Sequence, residues 1–176
     1  VITGKDLLSI SQYAFAGCKS LKDVTITAKL VKYGAYAFTG CKALESFYVN
    51  ALVLPEGMFY KASGLKSVVI GTMVNEIGEF AFRDTKVETL EVASGNAAFK
   101  AQTADHVISA DGQVLVAVAP VVTGEFTAAN VGNAKITALA DGAFSHNIQI
   151  TSVVLPEVTS VGDYGFGSSS VLESVQ

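Results

Sequence analysis

A phenylalanine returns along this chain at Phe15, Phe38, Phe59, Phe82, Phe144 and Phe166, at intervals of 23, 21, 23, 62 and 22 residues. Periods in this range mark a solenoid, whose units are too small to close a core alone and bury their apolar sides by stacking. Other columns keep step with this anchor. Six residues after it stand Leu21, Leu44, Leu65, Ile150 and Leu172, and nine after it Val24, Phe47, Val68, Val153 and Val175. Eleven after it stand Ile26, Val49, Ile70 and Leu155; the Phe82 unit runs one residue short, with Val87, Leu90 and Val92. Five residues before it come Ile10, Tyr33, Leu54, Ile77, Leu139 and Val161, followed by glycine at Gly34, Gly78 and Gly162.

The spacing within one unit predicts its local structure. Apolar residues at the ninth and eleventh places alternate, as in a strand with one buried face. Ile77, Ala81 and Phe82, at i, i+4 and i+5, would share one side of a short helical or 3-10 turn. Each unit thus reads as a strand, a turn and a compact helical return, and stacked strands would pair with neighbours about 5 Å away.

The phrase I-G-x-x-A-F-x-x-C-x-x-L-x-x-V-x-I, carried most fully by Tyr13–Ile26, Tyr36–Ile70 and Ile77–Val92, resembles the bacterial BspA-like, or treponemal-type, leucine-rich repeat. The resemblance implies an α/β solenoid: a curved array with a parallel concave sheet and short helical or 3-10 turns on the convex side. Members of that family are usually surface or secreted bacterial proteins that engage other macromolecules, and no catalytic residue belongs to the motif. An extracellular or cell-surface location is therefore expected. Residues 1–176 read as a single repeat domain. The opening at Val1-Ile2 without Met suggests a fragment of a longer chain.

The interval of 62 exceeds one repeat by about 39 residues, which places an insertion at 94–133. Within it His106–Ser109 and Gln113–Val118 are β-rich and flank Ala110-Asp111-Gly112, a strong hairpin signal. Gly124–Thr127 reads as another short strand, the remnant of a degenerate coil. The hairpin either stays within the solenoid wall, the favoured reading, or protrudes as a binding element.

Composition narrows the function classes. The chain is 50% hydrophobic and 16% charged, unlike a disordered segment. Its longest apolar run, Val114–Val122, is broken by Pro120 and far shorter than the roughly 20 residues of a spanning helix. No transmembrane segment or secretion signal is expected. The net charge is −4 and the basic residues are scattered, which speaks against nucleic acid.

Catalytic and metal chemistry find no foothold. His106 and His146 form no ligand cluster and read as surface or turn residues. Asp105 and Asp111 lack the spacing of a calcium loop and read as turn residues. No nucleophile elbow or phosphate loop occurs, so neither cofactor, metal nor catalytic residue is expected. Cys18 and Cys41 each stand three residues after an anchor, where other units hold Ala62, Thr85, Asn147 and Ser169. The place wants a small residue, and buried free thiols are expected ahead of a disulfide between adjacent coils.

Between the buried positions of each strand, side chains must point outward. These are Asp23 and Thr25, Ser46 and Tyr48, Ser67 and Val69, Thr89 and Glu91, then Ser152 and Val154. This row is the expected concave binding face, with Tyr48 as the anchor for a protein or glycan partner. Two function classes follow: a non-catalytic cell-surface interaction module acting through this face or the hairpin, or a structural spacer with no ligand of its own.

Overall fold

The computed structural model describes residues 6–101 and 103–176; residues 1–5, inside the expected repeat domain, and Gln102, inside the expected insertion, lie outside the described residues. The repeat units form coils built around two kinds of strand. Short strands lie just ahead of the anchors: β1 (Ser9–Ile10), β2 (Lys32–Tyr33), β4 (Val53–Leu54), β6 (Glu76–Ile77), β12 (Ala138–Leu139) and β14 (Ser160–Val161). Longer strands follow them: β3 (Ser46–Val49), β5 (Ser67–Ile70), β7 (Thr89–Val92), β11 (Gly124–Thr127), β13 (Ile150–Val154) and β15 (Ser174–Val175). All pairings among these two sets are parallel, in the orders β3-β5-β7 and β11-β13-β15 for the long strands. The parallel sheets expected of the repeat are present, and Gly124–Thr127 is a strand paired with the coil that follows it.

The expected helical turns are not. Among the described residues there is no helix, and the fold is a β-solenoid rather than an α/β one. The reason lies in how the turn uses its amides. In the first coil Ala16 and Cys18 donate to the carbonyls three residues back, at 2.9 and 3.1 Å. The intervening amides point along the stack: Tyr13 donates to Ala35, Phe15 to Ala37 and Gly17 to Thr39. The same three rungs recur from Tyr36, Phe38 and Gly40, from Gly57, Phe59 and Lys61, and from Gly142, Phe144 and His146. A helix would satisfy every interior N–H within its own coil, leaving none for this ladder.

Turning alternate amides outward needs left-handed backbone on either side of the anchor. Two residues before it φ is 58° at Tyr13, 58° at Tyr36, 57° at Phe80 and 53° at Tyr164, with glycine at Gly57 and Gly142. Two residues after it the same region is taken by Gly17, Gly40, Lys61, Asp84, His146 and Ser168. The glycine ahead of the anchor has a different reason. A Cβ on Gly78 would lie 2.5 Å from the Glu56 amide nitrogen of the preceding coil, and one on Gly34 2.2 Å from that of Gln12. Only glycine lets the coils approach to ladder distance there.

The anchors stack as a column of rings, with centroids 5.1 Å apart for Phe15–Phe38, 6.2 Å for Phe38–Phe59 and 6.3 Å for Phe59–Phe82. Around them lies a first core that includes Leu44, Leu54, Leu65, Val68 and Leu90. A second core gathers Phe126, Leu139, Phe144, Ile150 and Val153. Between the two stands the hairpin of β9 (His106–Ser109) and β10 (Val114–Val118), antiparallel to each other. Strand β10 pairs in parallel with β12, and β9 pairs with β8 (Phe99–Lys100), so the hairpin sits inside a five-stranded sheet. Val107 packs into the first core and its neighbour Ile108 into the second. In β10, Leu115 and Val118 face the second core while Val116 and Ala117 both face the first, where a bulge shifts the register.

Two expectations change here, the surface position of His106 and the burial of Cys18. His106 is not a surface residue: it is 0% exposed, edge-on to Phe126 at 6.4 Å. Its Nδ1 lies 2.8 Å from the Asp105 carboxylate, while its Nε2 is buried without a hydrogen-bond partner among the described residues. The hydrogen bond to Nδ1 holds Asp105 below the usual carboxylate range. His146 is a half-buried turn residue whose Nε2 lies 2.6 Å from Asp84, linking the coils on either side of the insertion. Cys18 and Cys41 are both free; Cys18 is exposed, whereas burial pushes the Cys41 thiol up to about 11.

Candidate interaction surface

The long strands bury alternate residues, and the rest form rows across the sheet. In β3, Phe47 and Val49 enter the core while Ser46 and Tyr48 face out. Register places Ser46 beside Ser67 and Thr89, and Tyr48 beside Val69 and Glu91. Six of the sequence-predicted face residues are thereby brought together on one three-stranded sheet. Tyr48 is 51% exposed. Its ring leans over the bend after β5, where a Cβ on Gly71 would meet the Tyr48 ring at 3.2 Å.

The remaining candidates fall elsewhere. Ser152 and Val154 lie on the second sheet, beside Glu125 and Thr127, and the Ser152 hydroxyl donates to Glu125 at 3.5 Å. Asp23 and Thr25 are exposed but belong to no strand. Around them Leu21, Val24 and Ile26 pack half-buried against the first core, so this coil joins the stack through β1, its turn ladder and side chains rather than through a long strand. Glu125, Thr127 and Ser174 were missed from the row, although the reading of Gly124–Thr127 as the strand of a coil already implied the first two.

A second surface, along the outer edge of the turns, was also missed. The residues two before each anchor are Tyr13, Tyr36, Gly57, Phe80, Gly142 and Tyr164, aromatic wherever they are not glycine. Tyr13 and Tyr36 stack at 5.3 Å, and the Tyr36 ring lies over Gly57, where a Cβ would be 2.2 Å from its edge. Tyr36 meets Tyr60 at 6.2 Å. The Arg83 guanidinium bridges onward, 5.6 Å from the Tyr60 centroid and 5.3 Å from that of Phe80. Phe80 then meets Tyr164 at 5.3 Å, across the side-chain-free Gly142. Immediately ahead of this column stand Glu56, Glu79, Asp141 and Asp163. Glu56 accepts the Tyr36 hydroxyl at 2.5 Å, which with burial pushes that phenol up to about 12. Glu79 is raised by burial and by the charges of Asp141, Asp163 and Glu56.

Among the described residues no group of three or more histidine, cysteine or carboxylate side chains is placed to hold a metal. No helix among them is long and apolar enough to cross a membrane.

Comparison with known proteins places this geometry. The profile of the BspA-type leucine-rich repeat region matches in six copies, over residues 1–104 and 125–176. No curated protein sequence gave a match. Among solved structures, the pneumococcal vaccine antigen PcpA superposes with a TM-score of 0.71 at 17% identity, over 96% of this chain and 48% of its own. A leucine-rich repeat protein from Eubacterium ventriosum gives 0.71 at 20% identity, over 96% of this chain and 57% of its own. A leucine-rich cell surface protein from Faecalibacterium prausnitzii gives 0.55 at 19% identity, over 97% and 60%. The chain thus spans about half to three fifths of these proteins, and at such identities the likeness is one of fold.

Proposed function

The chain belongs to the BspA-type leucine-rich repeat family, and we propose that it is a non-catalytic interaction module of a bacterial surface or secreted protein. Its partner is a macromolecule, protein or glycan, met on the face of the long strands. The observation that carries this reading is the row Tyr48, Val69, Glu91: three outward side chains in register, apolar at the centre and polar at one end, on a rigid parallel sheet. A Tyr held over a glycine bend is preorganised, which lowers the entropic cost of binding. The hairpin offers less, since both of its strands are buried and only its Asp111 turn reaches solvent. A vaccine antigen and a cell surface protein among the fold relatives support the location.

The test is a binding screen of this chain against extracellular-matrix proteins and glycans, repeated with Tyr48→Ala and Glu91→Gln. A captured ligand should bind about tenfold or more weakly to Tyr48→Ala, as for a central aromatic anchor. A ligand unaffected by both changes would move the site off this face. Silence across the panels would leave the spacer reading, in which the solenoid only displays a neighbouring domain.

A further inference from the structure

Ahead of their short strands the first four coils each expose one large apolar side chain, Leu8, Leu30, Leu52 and Met73. Leu30, Leu52 and Met73 are 42, 45 and 52% exposed. The repeat does not demand this. Leu8 and Leu52 stand seven residues before their anchors, where the coils after the insertion have Thr137 and Thr159. Leu8, Leu30, Leu52 and Val53 line a groove of about 520 Å³ together with Lys32. The row continues past the groove to Met73, which like Leu30 directly precedes a buried valine. A second row runs alongside, the outward side chains of the short strands: Ser9, Lys32, Val53 and Glu76. Lys32 and Glu76 stand one coil to either side of Val53, and among the described residues neither takes part in an ion pair. Opposite charges thus flank an apolar centre, an arrangement complementary to its own inverted copy.

We propose that this face pairs with a second copy of the chain, the coils of the two copies running in opposite order. A two-fold axis lying along β4 sets Lys32 against Glu76 of the second copy and Leu30 against its Met73, while Leu52 and Val53 each meet themselves. Both charge pairs are then satisfied at the rim of an apolar centre, the usual anatomy of an interface. An axis along the stack would instead set Lys32 on Lys32 and Glu76 on Glu76, and like charges so placed repel. Four coils extend roughly 15 Å along the stack, too little for the ~800 Å² per partner of a stable interface. The dimer is therefore a reversible one, formed at high local concentration. An alkyl carboxylate seated on Lys32 accounts for less, since the groove ends before Met73 and Glu76. This surface lies off the long-strand rows and does not depend on the binding assigned to them.

The test is sedimentation velocity over a concentration series reaching roughly 1 mM. Wild type should pass reversibly from monomer towards dimer. Leu52→Asp, which sets two carboxylates against each other at the axis, should stay monomeric throughout; the side chain is already half exposed, and a thermal melt confirms that the variant is folded. Lys32→Glu and Glu76→Lys should each raise the dissociation constant about tenfold. The double swap of Lys32→Glu with Glu76→Lys should restore the wild-type value, and mixing the two single variants should restore dimer formation. The strand-face pair Tyr48→Ala and Glu91→Gln should change nothing. A wild type that is monomeric to the top of the series, a dimer that survives Leu52→Asp, or single swaps without effect overturns the proposal. So would saturable binding of dodecanoate that holds the chain monomeric, which would make the groove an acyl-chain site.

Discussion

The strands of the repeats and the strands of the hairpin follow opposite burial rules. In β3 and β5 every second residue is buried and the others meet solvent or its margin. In β9 and β10 nearly every residue is buried, because a core lies on each side. The difference teaches what the insertion is for structurally. A repeat coil closes one face of a core and leaves the other free for contacts. The hairpin closes two cores at once and has no free face, so the part of the apolar run at Val114–Val118 is an interior strand.

The largest effects should come from charge placed on the hairpin. Val107→Asp and Ile108→Asp each bury an unpaired carboxylate, one in each core, and should cost roughly 3–5 kcal/mol or more. Val69→Lys, on the outward side of β5, should stay within about 0.5 kcal/mol. Urea unfolding of the three variants measures this directly. Tolerance of either hairpin variant would mean that β9 has a free face after all, and the contrast would collapse.

A middle effect belongs to the acid that seats the buried imidazole. Asp105→Asn should cost about 1–2 kcal/mol near neutral pH by weakening the hydrogen bond to His106. The folded Asp105 carboxyl titrates below its ordinary value. Its stabilisation is therefore present above about pH 4 and lost as the pH falls through the lower folded value. Wild type should lose more stability than Asp105→Asn between neutral and strongly acid solution. Parallel pH profiles would detach the hairpin's stability from this pair.

The smallest effect sharpens the description of the repeats themselves. Ser168 is exposed with φ of 59°, at the place where earlier coils have Gly17 and Gly40. Ser168→Gly should raise stability by up to about 1 kcal/mol by removing the left-handed penalty. A fall in melting temperature would show that Ser168 contributes more through its own contacts than its backbone costs.

Much of this was legible beforehand because it is periodic. The Phe column, the alternation at Phe47 and Val49, and the Asp-Gly turn each follow from nearest-neighbour chemistry, and the structure has them where the spacing puts them. Of the candidate face, Ser46, Tyr48, Ser67, Val69, Thr89 and Glu91 come together, since parity within a strand fixes which side chains point out. Asp23 and Thr25 do not, because parity says nothing about whether a segment finds a ladder partner. The helix expectation failed for a related reason. Ile77, Ala81 and Phe82 have helical spacing, but spacing does not say whether an amide bonds within its coil or to the next.

The sequence by itself determined the repeat, its period, the buried columns and the membership that follows from them, since all of these are local patterns written many times over. Only the tertiary structure decided the rest. It set the sign of φ at Tyr36 and Phe80, the burial of His106, the two-sided packing of Val107 and Ile108, and the meeting of Phe80 with Tyr164. Each of those depends on what an adjoining coil presents, and a linear pattern does not encode which coils become neighbours once an insertion intervenes.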